Sequence, residues 1–291
     1  MTSTQILLII FFMLIIVICY FYIKSFHNAI GVNLVGGFGN QMFQIATGYA
    51  LAKRYKCDFF INDIQESIHN NKLSMYIISK FKNKNQINKN ILVNMKNYYE
   101  NKEFTFNEIT DTNIILNGLF QHQQYFIDCN ESIYEILTPP KYIIDKLSKF
   151  DFNNIVAIHV RLGDFLIYKE IHKINLKNYY EKAKKYIETK LINPKYVIVS
   201  ENTKTEVLEH YPIFSNYDFI NELENGDEMF DFYFMSKCTG LITCNSTFSW
   251  WAGFIAQNAG FAAKGNVIIP NNYILKKDSS IHMQNATVIE I

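Results

Sequence analysis

The sequence predicts an α/β protein of two domains that face a cleft, preceded by an N-terminal transmembrane helix. Three observations predict this fold. Apolar strands alternate with helical patterns from residue 30 onward, short connections join them, and the Pro139-Pro140 pair divides the alternation into two halves. Such alternation is typical of parallel sheets covered on both faces. With 291 residues, of which 49% are hydrophobic, the chain is long enough for two such domains.

The charge balance excludes partners that need a strong surface field. The chain has 28 lysines and arginines against 27 acidic residues, a net charge of +1 at pH 7. Such a surface attracts neither polyanions nor anionic membranes as a whole, so no nucleic-acid partner is predicted. An anionic ligand has to be bound by a local site.

The N-terminal 29 residues are predicted to form a membrane anchor and its connector. Ile6 to Ile23 contains no charge, and as a helix its 18 residues measure about 27 Å, close to the roughly 30 Å of a hydrocarbon core. Met1 to Gln5 lacks Lys and Arg, and no small-x-small site follows the run, so cleavage is not expected. A single-pass membrane protein is therefore predicted, with only Lys24 to suggest its orientation.

Four cysteines follow the predicted anchor. Their spacing fits no zinc site, because no C-x-x-C pair and no nearby pair of histidines occurs. They allow two disulfides in an oxidising compartment and four thiols in a reducing one, and three N-x-S/T sequons leave the compartment equally open. The cysteines are Cys57, Cys129, Cys238 and Cys244, and the sequons begin at Asn130, Asn245 and Asn285.

The first half, residues 30–150, begins with a strand–turn–helix–strand unit. Apolar residues predict a strand over Ile30 to Val35, and Met42, Ile45 and Tyr49 recur at helical spacing after a glycine-rich turn. Cys57 to Ile61 predicts the second strand.

The rest of the first half is less regular. Lys80 to Asn97 alternates Lys and Asn, which is typical of a solvated helix or loop in an insertion rather than of a basic binding site. Ile114 to Phe120 predicts another strand, and a helical stretch follows Pro139-Pro140 as far as Phe150.

The second half, residues 151–291, opens with a continuous apolar strand, Ile155 to Val160, which predicts a buried position in a parallel sheet. Ligands of such sheets bind beyond the carboxyl ends of the strands. The later predicted elements are helix Leu176 to Leu191, strand Tyr196 to Val199, strand Tyr217 to Ile220, helix Asp227 to Lys237, strand Gly240 to Thr243, helix Phe248 to Ala259 and strand Val267 to Ile269.

The first candidate site is the turn Gly36-Gly37-Phe38-Gly39-Asn40-Gln41, between the first strand and its helix. Glycines let the backbone approach a ligand, and a helix N-terminus offers N–H groups to an anion. The turn matches neither G-x-G-x-x-G nor a P-loop, so no dinucleotide or ATP site is predicted. The alternative is a tight turn in which Asn40 caps the helix.

The second candidate site is His159-Val160-Arg161-Leu162-Gly163-Asp164, just beyond the apolar strand. Strand alternation places His159 and Arg161 on the same side, and Gly163 turns the chain so that Asp164 faces the same cleft. A guanidinium suits a phosphate, and a carboxylate suits a general base. The alternative is an Arg–Asp ion pair that closes the loop.

The third candidate site is Asn245-Ser246-Thr247-Phe248-Ser249-Trp250-Trp251, again at a strand end and a helix start. A single Ser or Thr there would cap the helix in any protein. Four small polar residues exceed what one cap needs and suit a phosphate at the positive end of the helix. The two tryptophans are predicted to anchor the helix in the core.

Several catalytic patterns do not occur in the chain. It has no D-x-D with which to bind a divalent metal, no G-x-S-x-G and no H-E-x-x-H. We therefore expect the charge of a leaving phosphate to be met by Arg161 and by helix N-termini, without a metal or other cofactor.

Together the three motifs, read as GGFGNQMFQ from Gly36, HVRLGDF from His159 and NSTFSWWA from Asn245, resemble the α-1,2-fucosyltransferase family, glycosyltransferase family 11. The resemblance runs from about Gly31 to Pro270. It implies a GT-B fold of two Rossmann-like domains, GDP-fucose as donor, a galactose-containing glycan as acceptor, inversion and no metal. Animal members imply type II anchoring in the Golgi.

The resemblance also assigns roles to residues. Asp164 is the expected base, and Arg161 is expected to bind the β-phosphate with His159 nearby. The expected donor-binding residues are Arg161, Asn245, Ser246, Thr247, Ser249, Ser200 and Asp227. The expected acceptor-side residues of the cleft are Gly37, Gly39, Asn40 and Gln41.

The chain departs from the family pattern at three places. Leu162 replaces a second arginine, Ser200-Glu201-Asn202 replaces Ser-Asp-Asp, and Tyr273 replaces a tryptophan. These departures bear on acceptor choice and linkage more than on donor chemistry. A transferase with another nucleotide sugar or linkage, and a non-catalytic glycan-binding protein on the same scaffold, therefore stay open as alternatives.

Overall fold

Two parallel sheets organise the chain in this computed structural model. The structure describes residues 5, 10–16, 28–64, 72–82, 95–101, 105–168, 175–224, 227–273 and 281–291. In the described residues, all strands of the first sheet precede residue 150 and all strands of the second follow it. The α/β class and the two parallel sheets predicted from the sequence are confirmed.

The first sheet has the strand order β2-β1-β4-β3, and every adjacent pair is parallel. Strand β1 is buried at its centre because its residues are apolar, and the glycine-rich turn after it leads directly into α1. The elements are β1 (Ala29–Leu34), α1 (Phe38–Tyr55), β2 (Asp58–Ile64), α2 (Lys72–Lys82), β3 (Lys96–Tyr99), β4 (Ile114–Asn117), α3 (Asn130–Ile136) and α4 (Lys141–Leu147).

The second sheet has the strand order β10-β9-β8-β5-β6-β7, again parallel throughout. The fully buried β5 lies inside this sheet, as its continuous apolar run predicts. The elements are β5 (Ile155–His159), α5 (Gly163–Ile167), α6 (Lys177–Ile187), β6 (Lys195–Val199), α7 (Lys204–His210), β7 (Asp218–Phe219), α8 (Ile220–Leu223), α9 (Glu228–Lys237), β8 (Gly240–Ile242), α10 (Thr247–Asn258), β9 (Val267–Pro270) and β10 (Thr287–Ile289).

Aromatic packing joins the two halves in a hydrophobic cluster that contains residues of both, while a second cluster lies within the second half. Trp250 and Trp251 of α10 are fully buried, as predicted, and their rings lie 4.7 and 4.9 Å from the ring of Phe43 in α1. Phe126 stacks on Trp251 at 5.4 Å. Large buried rings contribute strongly to packing, so this cluster holds the two sheets in a fixed relation.

One prediction about a single segment needs correction. Strand β3 begins at Lys96, within the stretch Lys80 to Asn97 that was expected to be a solvated helix or loop; residues 83–94 of that stretch lie outside the described residues. The sequence left the state of the cysteines open, and the described chain after residue 28 contains four free cysteines.

The prediction of a single-pass membrane protein is also wrong. Within the residues that the structure describes, no helix combines the length and apolarity that crossing a bilayer requires. Of the predicted segment Ile6 to Ile23, the structure describes residues 10–16, and the other positions lie outside the described residues.

Candidate active site

A cleft of about 510 Å³ lies between the carboxyl ends of the strands of the two sheets. This volume lies within the usual range for small-molecule sites. The structure brings most of the predicted site residues together in it. The predicted residues that line the cleft are Gly37, Gly39, Asn40, His159, Arg161, Asp164, Ser200, Asn245, Ser246 and Thr247.

Three predicted site residues do not line the cleft. Gln41 is buried, and its side-chain nitrogen donates to the carbonyl of Gly36 at 2.9 Å. Ser249 is buried and donates to the carbonyl of Ser246 at 3.2 Å. Asp227 is the N-cap of α9, where its carboxylate accepts from the backbone N–H of Phe230 at 3.1 Å. These side chains support lining residues from behind.

The cleft floor joins the two halves through Gly39, Asn40, Gln121, Thr247 and Trp251. Asn40 Oδ1 accepts from Thr247 Oγ1 at 3.1 Å and from Gln121 Nε2 at 2.7 Å. The indole N–H of Trp251 donates to the carbonyl of Gly39 at 2.9 Å. The alternative in which Asn40 caps α1 is wrong, because Gly37 occupies the N-cap and Asn40 lies inside the first turn.

Gly39 allows this contact between the halves. A Cβ at this position would lie 2.5 Å from the carbonyl carbon of Thr247 and 2.7 Å from the nitrogen of Phe248. Both atoms belong to the backbone of the opposite half, so they cannot turn away as a side chain can. Gly39 is thus needed because the backbones of the two halves approach each other closely at this position.

The second-sheet wall of the cleft consists of His159, Arg161, Asp164, Asp231 and Ser246. Arg161 and Asp164 form an ion pair, with Nε and Nη2 at 3.0 and 2.9 Å from Oδ1. Both side chains are partly exposed, at 24% and 32%. The ion pair considered as an alternative is therefore present, but it faces the cleft, where a ligand can exchange for either partner.

Arg161 also stands out because arginine is rare in this chain. The sequence contains two arginines and 26 lysines. The other arginine, Arg54, pairs with Asp128 at 2.8 Å outside the cleft. Among the described residues that line the cleft, Arg161 is the one side chain with a permanent positive charge. A planar guanidinium at this position suits bidentate binding of an anion.

The N-terminus of α10 lines the same cleft as Arg161. Ser246 is its N-cap, and its hydroxyl accepts from the backbone N–H of Phe248 at 3.3 Å. The first N–H groups of a helix lack intrahelical partners, and the helix dipole favours negative charge there. The wall therefore combines a guanidinium with a helix N-terminus, which suits a phosphate group.

Sequence reasoning missed three carboxylates of the lining, Glu201 and, in α9, Glu228 and Asp231. Burial, with smaller contributions from the charges of Asp227 and Glu228, raises the pKa of Asp231 to about 7. A signal was present, because Asp231 interrupts the otherwise apolar run from Met229 to Met235. A carboxylate within a predicted core helix indicates a functional position.

Comparison with known proteins identifies the family of the chain. The model of the family described as "Glycosyl transferase family 11" matches residues 5–287. The chain belongs to glycosyltransferase family 11. The three sequence motifs predicted this membership. Membership of the family establishes the protein as a glycosyltransferase related to the fucosyltransferases.

Two relatives come from Escherichia coli. An "Alpha-1,2-colitosyltransferase" is 25% identical over 248 residues, which cover 76% of this chain and 86% of the relative. The "O-antigen biosynthesis glycosyltransferase WbnK" is 31% identical over 107 residues, which cover 35% of this chain and 34% of the relative. Among solved structures, POFUT1 in complex with GDP-fucose is 12% identical, with a TM-score of 0.45 and coverage of 83% of this chain and 97% of that chain.

Proposed function

We propose that the protein transfers L-fucose from GDP-fucose to a galactoside hydroxyl with inversion, forms an α-1,2 linkage and needs no metal. Membership of the family supports sugar transfer, and the name of the first E. coli relative supports an α-1,2 linkage. The observation that carries the proposal is that Arg161 and the N-terminus of α10 line one cleft between two parallel sheets.

In this proposal, the diphosphate of the donor binds to the second-sheet wall. Arg161 leaves Asp164 and grips the β-phosphate, while Ser246 and the first N–H groups of α10 bind further oxygens. Asn245 and Ser200 lie close enough in the lining to contribute. Thr247 contributes its backbone, because its hydroxyl donates to Asn40.

Asp231 is proposed to select the base of the donor. Guanine presents the N1–H and the N2 amino group as adjacent donors, and one carboxylate can accept from both. A uracil ring offers a single N–H, so it satisfies the same carboxylate less completely. An acceptor in the cleft that is buried enough to raise its pKa would thereby favour GDP over UDP.

The transfer step is a displacement at the anomeric carbon of fucose. The acceptor oxygen forms a bond to that carbon while the bond to the phosphate oxygen breaks, and GDP leaves with the bonding electrons. Asp164, released from Arg161, takes the proton of the acceptor hydroxyl. Arg161 and the helix N-terminus stabilise the charge that develops on GDP.

The two sides of the cleft then have separate tasks. We propose a GT-B arrangement in which residues 151–291 bind the donor and residues 30–150 bind the acceptor. Gly37, Gly39 and Asn40 line the cleft from the first half, opposite the wall. The galactoside would enter on this side and meet the sugar of the donor near Asp164.

A second candidate function is the transfer of colitose from GDP-colitose. The name of the first E. coli relative favours it. Colitose is L-fucose without the 3-hydroxyl group, so the same diphosphate site serves both donors. A cleft that hydrogen-bonds the 3-hydroxyl would discriminate strongly for fucose, whereas an apolar one would not.

The test is to incubate the full chain with each of several nucleotide sugars and a β-galactoside in EDTA. The panel contains GDP-fucose, GDP-colitose, GDP-mannose and UDP-galactose, and NMR of the product gives the linkage. The proposal expects α-1,2 transfer of fucose that survives EDTA. Transfer from GDP-colitose alone supports the second candidate, and binding without turnover of any donor would contradict an enzymatic function.

A further inference from the structure

Cys244 and His159 meet at the end of two adjacent strands of the second sheet. Strand β5 ends at His159 and pairs in parallel with β8, which Cys244 follows. Cys244 Sγ lies 3.1 Å from His159 Nδ1, within hydrogen-bonding distance for sulfur. Cys244 is fully buried, and His159 is 5% exposed, where it lines the cleft.

Both groups of this pair are neutral at pH 7. Burial, and to a smaller extent the charge of Arg161, lowers the pKa of His159 to about 3. Burial raises the pKa of the Cys244 thiol to about 12. A reactive Cys–His pair holds a thiolate and an imidazolium, so this pair has the wrong charges for a nucleophile.

The direction of the hydrogen bond follows from the strengths of the two acceptors. A neutral imidazole has one N–H and one unprotonated nitrogen, and sulfur is a weak acceptor. The unprotonated nitrogen is the better acceptor, which favours donation from the thiol to Nδ1. The hydroxyl of Ser249 also lies beside Sγ, but it is a weaker acceptor than imidazole nitrogen.

The second nitrogen of His159 is left for the cleft. Nδ1 is directed to Cys244, so Nε2 is the ring nitrogen that remains for a ligand in the cleft that His159 lines. The ring of Phe248 lies 5.8 Å from the imidazole, and the backbone carbonyl of His159 accepts from Tyr180 at 2.9 Å. These contacts fix the position of the ring. The tautomer of the imidazole therefore decides whether Nε2 offers a hydrogen-bond donor or an acceptor to a ligand in the cleft.

We propose that Cys244 is a positioning residue that donates its thiol proton to Nδ1 of His159 and keeps the imidazole proton on Nε2. The cleft then contains a fixed N–H donor next to Arg161, suited to an acceptor oxygen of the bound donor nucleotide. The tautomer is a property of the protein alone; its use in binding rests on the proposed function.

The tautomer is measured by nitrogen NMR of histidine side chains in the full-length protein. His159 is assigned by comparison with His159→Gln. We expect Nε2 to carry the proton in the wild type and in Cys244→Ser, since a hydroxyl also donates, and we expect a mixture in Cys244→Ala. Cys238→Ala is the matched control, because Cys238 is equally buried but donates to the carbonyl of Phe234 at 3.3 Å.

Donor binding provides the second readout. In a mixture of tautomers only the fraction with the proton on Nε2 can donate to the ligand, so Cys244→Ala is expected to raise the KM for the donor in proportion to the fraction lost, about twofold for an equal mixture, with kcat unchanged. Cys244→Ser restores the KM, and Cys238→Ala leaves it unaltered.

Two results would overturn the inference. A wild-type proton on Nδ1, or an unchanged tautomer in Cys244→Ala, removes the positioning role whether or not the protein transfers a sugar. A changed tautomer with an unchanged KM in an active enzyme removes the role in donor binding. Failure of the proposed function alone would leave the NMR result as predicted but give no turnover with any nucleotide sugar.

Discussion

The cleft floor and the second-sheet wall belong to one cavity, but their polar groups have different partners. On the floor, Asn40 and Gly39 of the first half bond Thr247 and Trp251 of the second half. On the wall, Arg161 and Asp164 pair with each other within one loop, and Ser246 caps its own helix. Floor contacts hold the halves together, whereas wall contacts are local and can be exchanged for a ligand.

Floor residues hold the two halves together, and wall residues are available to bind a ligand. The sequence motifs alone do not distinguish these two tasks. Glycines or small polar residues occur in each of the three motifs. Only the long-range partners show that Thr247 serves the floor and that its neighbour Ser246 serves the wall. We therefore expect substitutions on the floor to lower stability and those on the wall to lower binding or turnover.

Asp231 of the wall is the exception to this division, because its protonation has the largest expected effect on stability. Its pKa is raised in the folded state, so it binds a proton more tightly there than in the unfolded chain. Stability is therefore lost as pH rises from about 4 to about 7, by up to about 4 kcal/mol. Asp231→Asn is expected to flatten this dependence, measured by urea unfolding at pH 5 and pH 8.

The control for this pH dependence is Asp128→Asn. The hydrogen bond from Arg54 lowers the pKa of Asp128, so its contribution has the opposite sign and is lost as pH falls. Its removal should leave the loss of stability toward pH 8 in place. An unchanged slope in Asp231→Asn would show that the buried carboxylate is not its source.

On the floor, Gly39→Ala is expected to lower the free energy of unfolding by at least about 3 kcal/mol, the upper end of overpacking costs. The reason is that the new methyl group meets the backbone of Thr247 and Phe248. Gly240→Ala is the matched control, because its Cβ would meet side-chain atoms of Val156 at 3.1 Å. Equal stabilities of the two variants in urea unfolding would contradict close contact at the floor.

On the wall, Asp164→Asn is expected to lower kcat by at least about a hundredfold, the usual effect of losing a general base. GDP binding should be kept, because the amide no longer competes with phosphate for Arg161. Steady-state kinetics and titration with GDP measure the two quantities. Asp145→Asn, on the exposed face of α4, serves as the control. Full activity of Asp164→Asn would place the base elsewhere.

The smallest effect compares two adjacent residues of the third motif. Thr247→Val removes the hydrogen bond to Asn40 and should cost about 1 kcal/mol of stability with GDP affinity unchanged. Ser246→Ala removes a cap of similar value, about 1 kcal/mol, but should also weaken GDP binding. Thermal unfolding and titration separate the two outcomes. A weaker GDP affinity in Thr247→Val would assign its hydroxyl to the donor site after all.

Local sequence patterns predicted the parts of the fold that local physics decides. Continuous apolar residues identified β5, and glycines followed by helical spacing identified the turn before α1. Strands β3 and β10 were not predicted. Strand β3 lies in a polar Lys–Asn stretch and β10 has three residues, so their pairing with neighbouring strands, rather than their own sequence, makes them strands.

The sequence predicted which residues belong to the site, but it did not predict which distant residues they contact. Motifs at strand ends identified Arg161 and Ser246, because a parallel sheet places such ends in one cleft. The contact of Gly39 with Thr247 joins residues that are 208 positions apart, and no local pattern encodes that distance. The apolar N-terminal run was misinterpreted as a membrane span because composition and length alone support that interpretation.

The most direct test of the account is the affinity for GDP in EDTA of the wild type and of two variants, measured by isothermal titration. Arg161→Ala is expected to lose at least about a hundredfold, or about 2.7 kcal/mol, as expected for losing charged hydrogen bonds. Arg54→Ala, the matched control, removes the only other arginine and should bind GDP as the wild type does. Undiminished GDP binding by a folded Arg161→Ala variant would contradict the assignment of the second-sheet wall to the donor diphosphate.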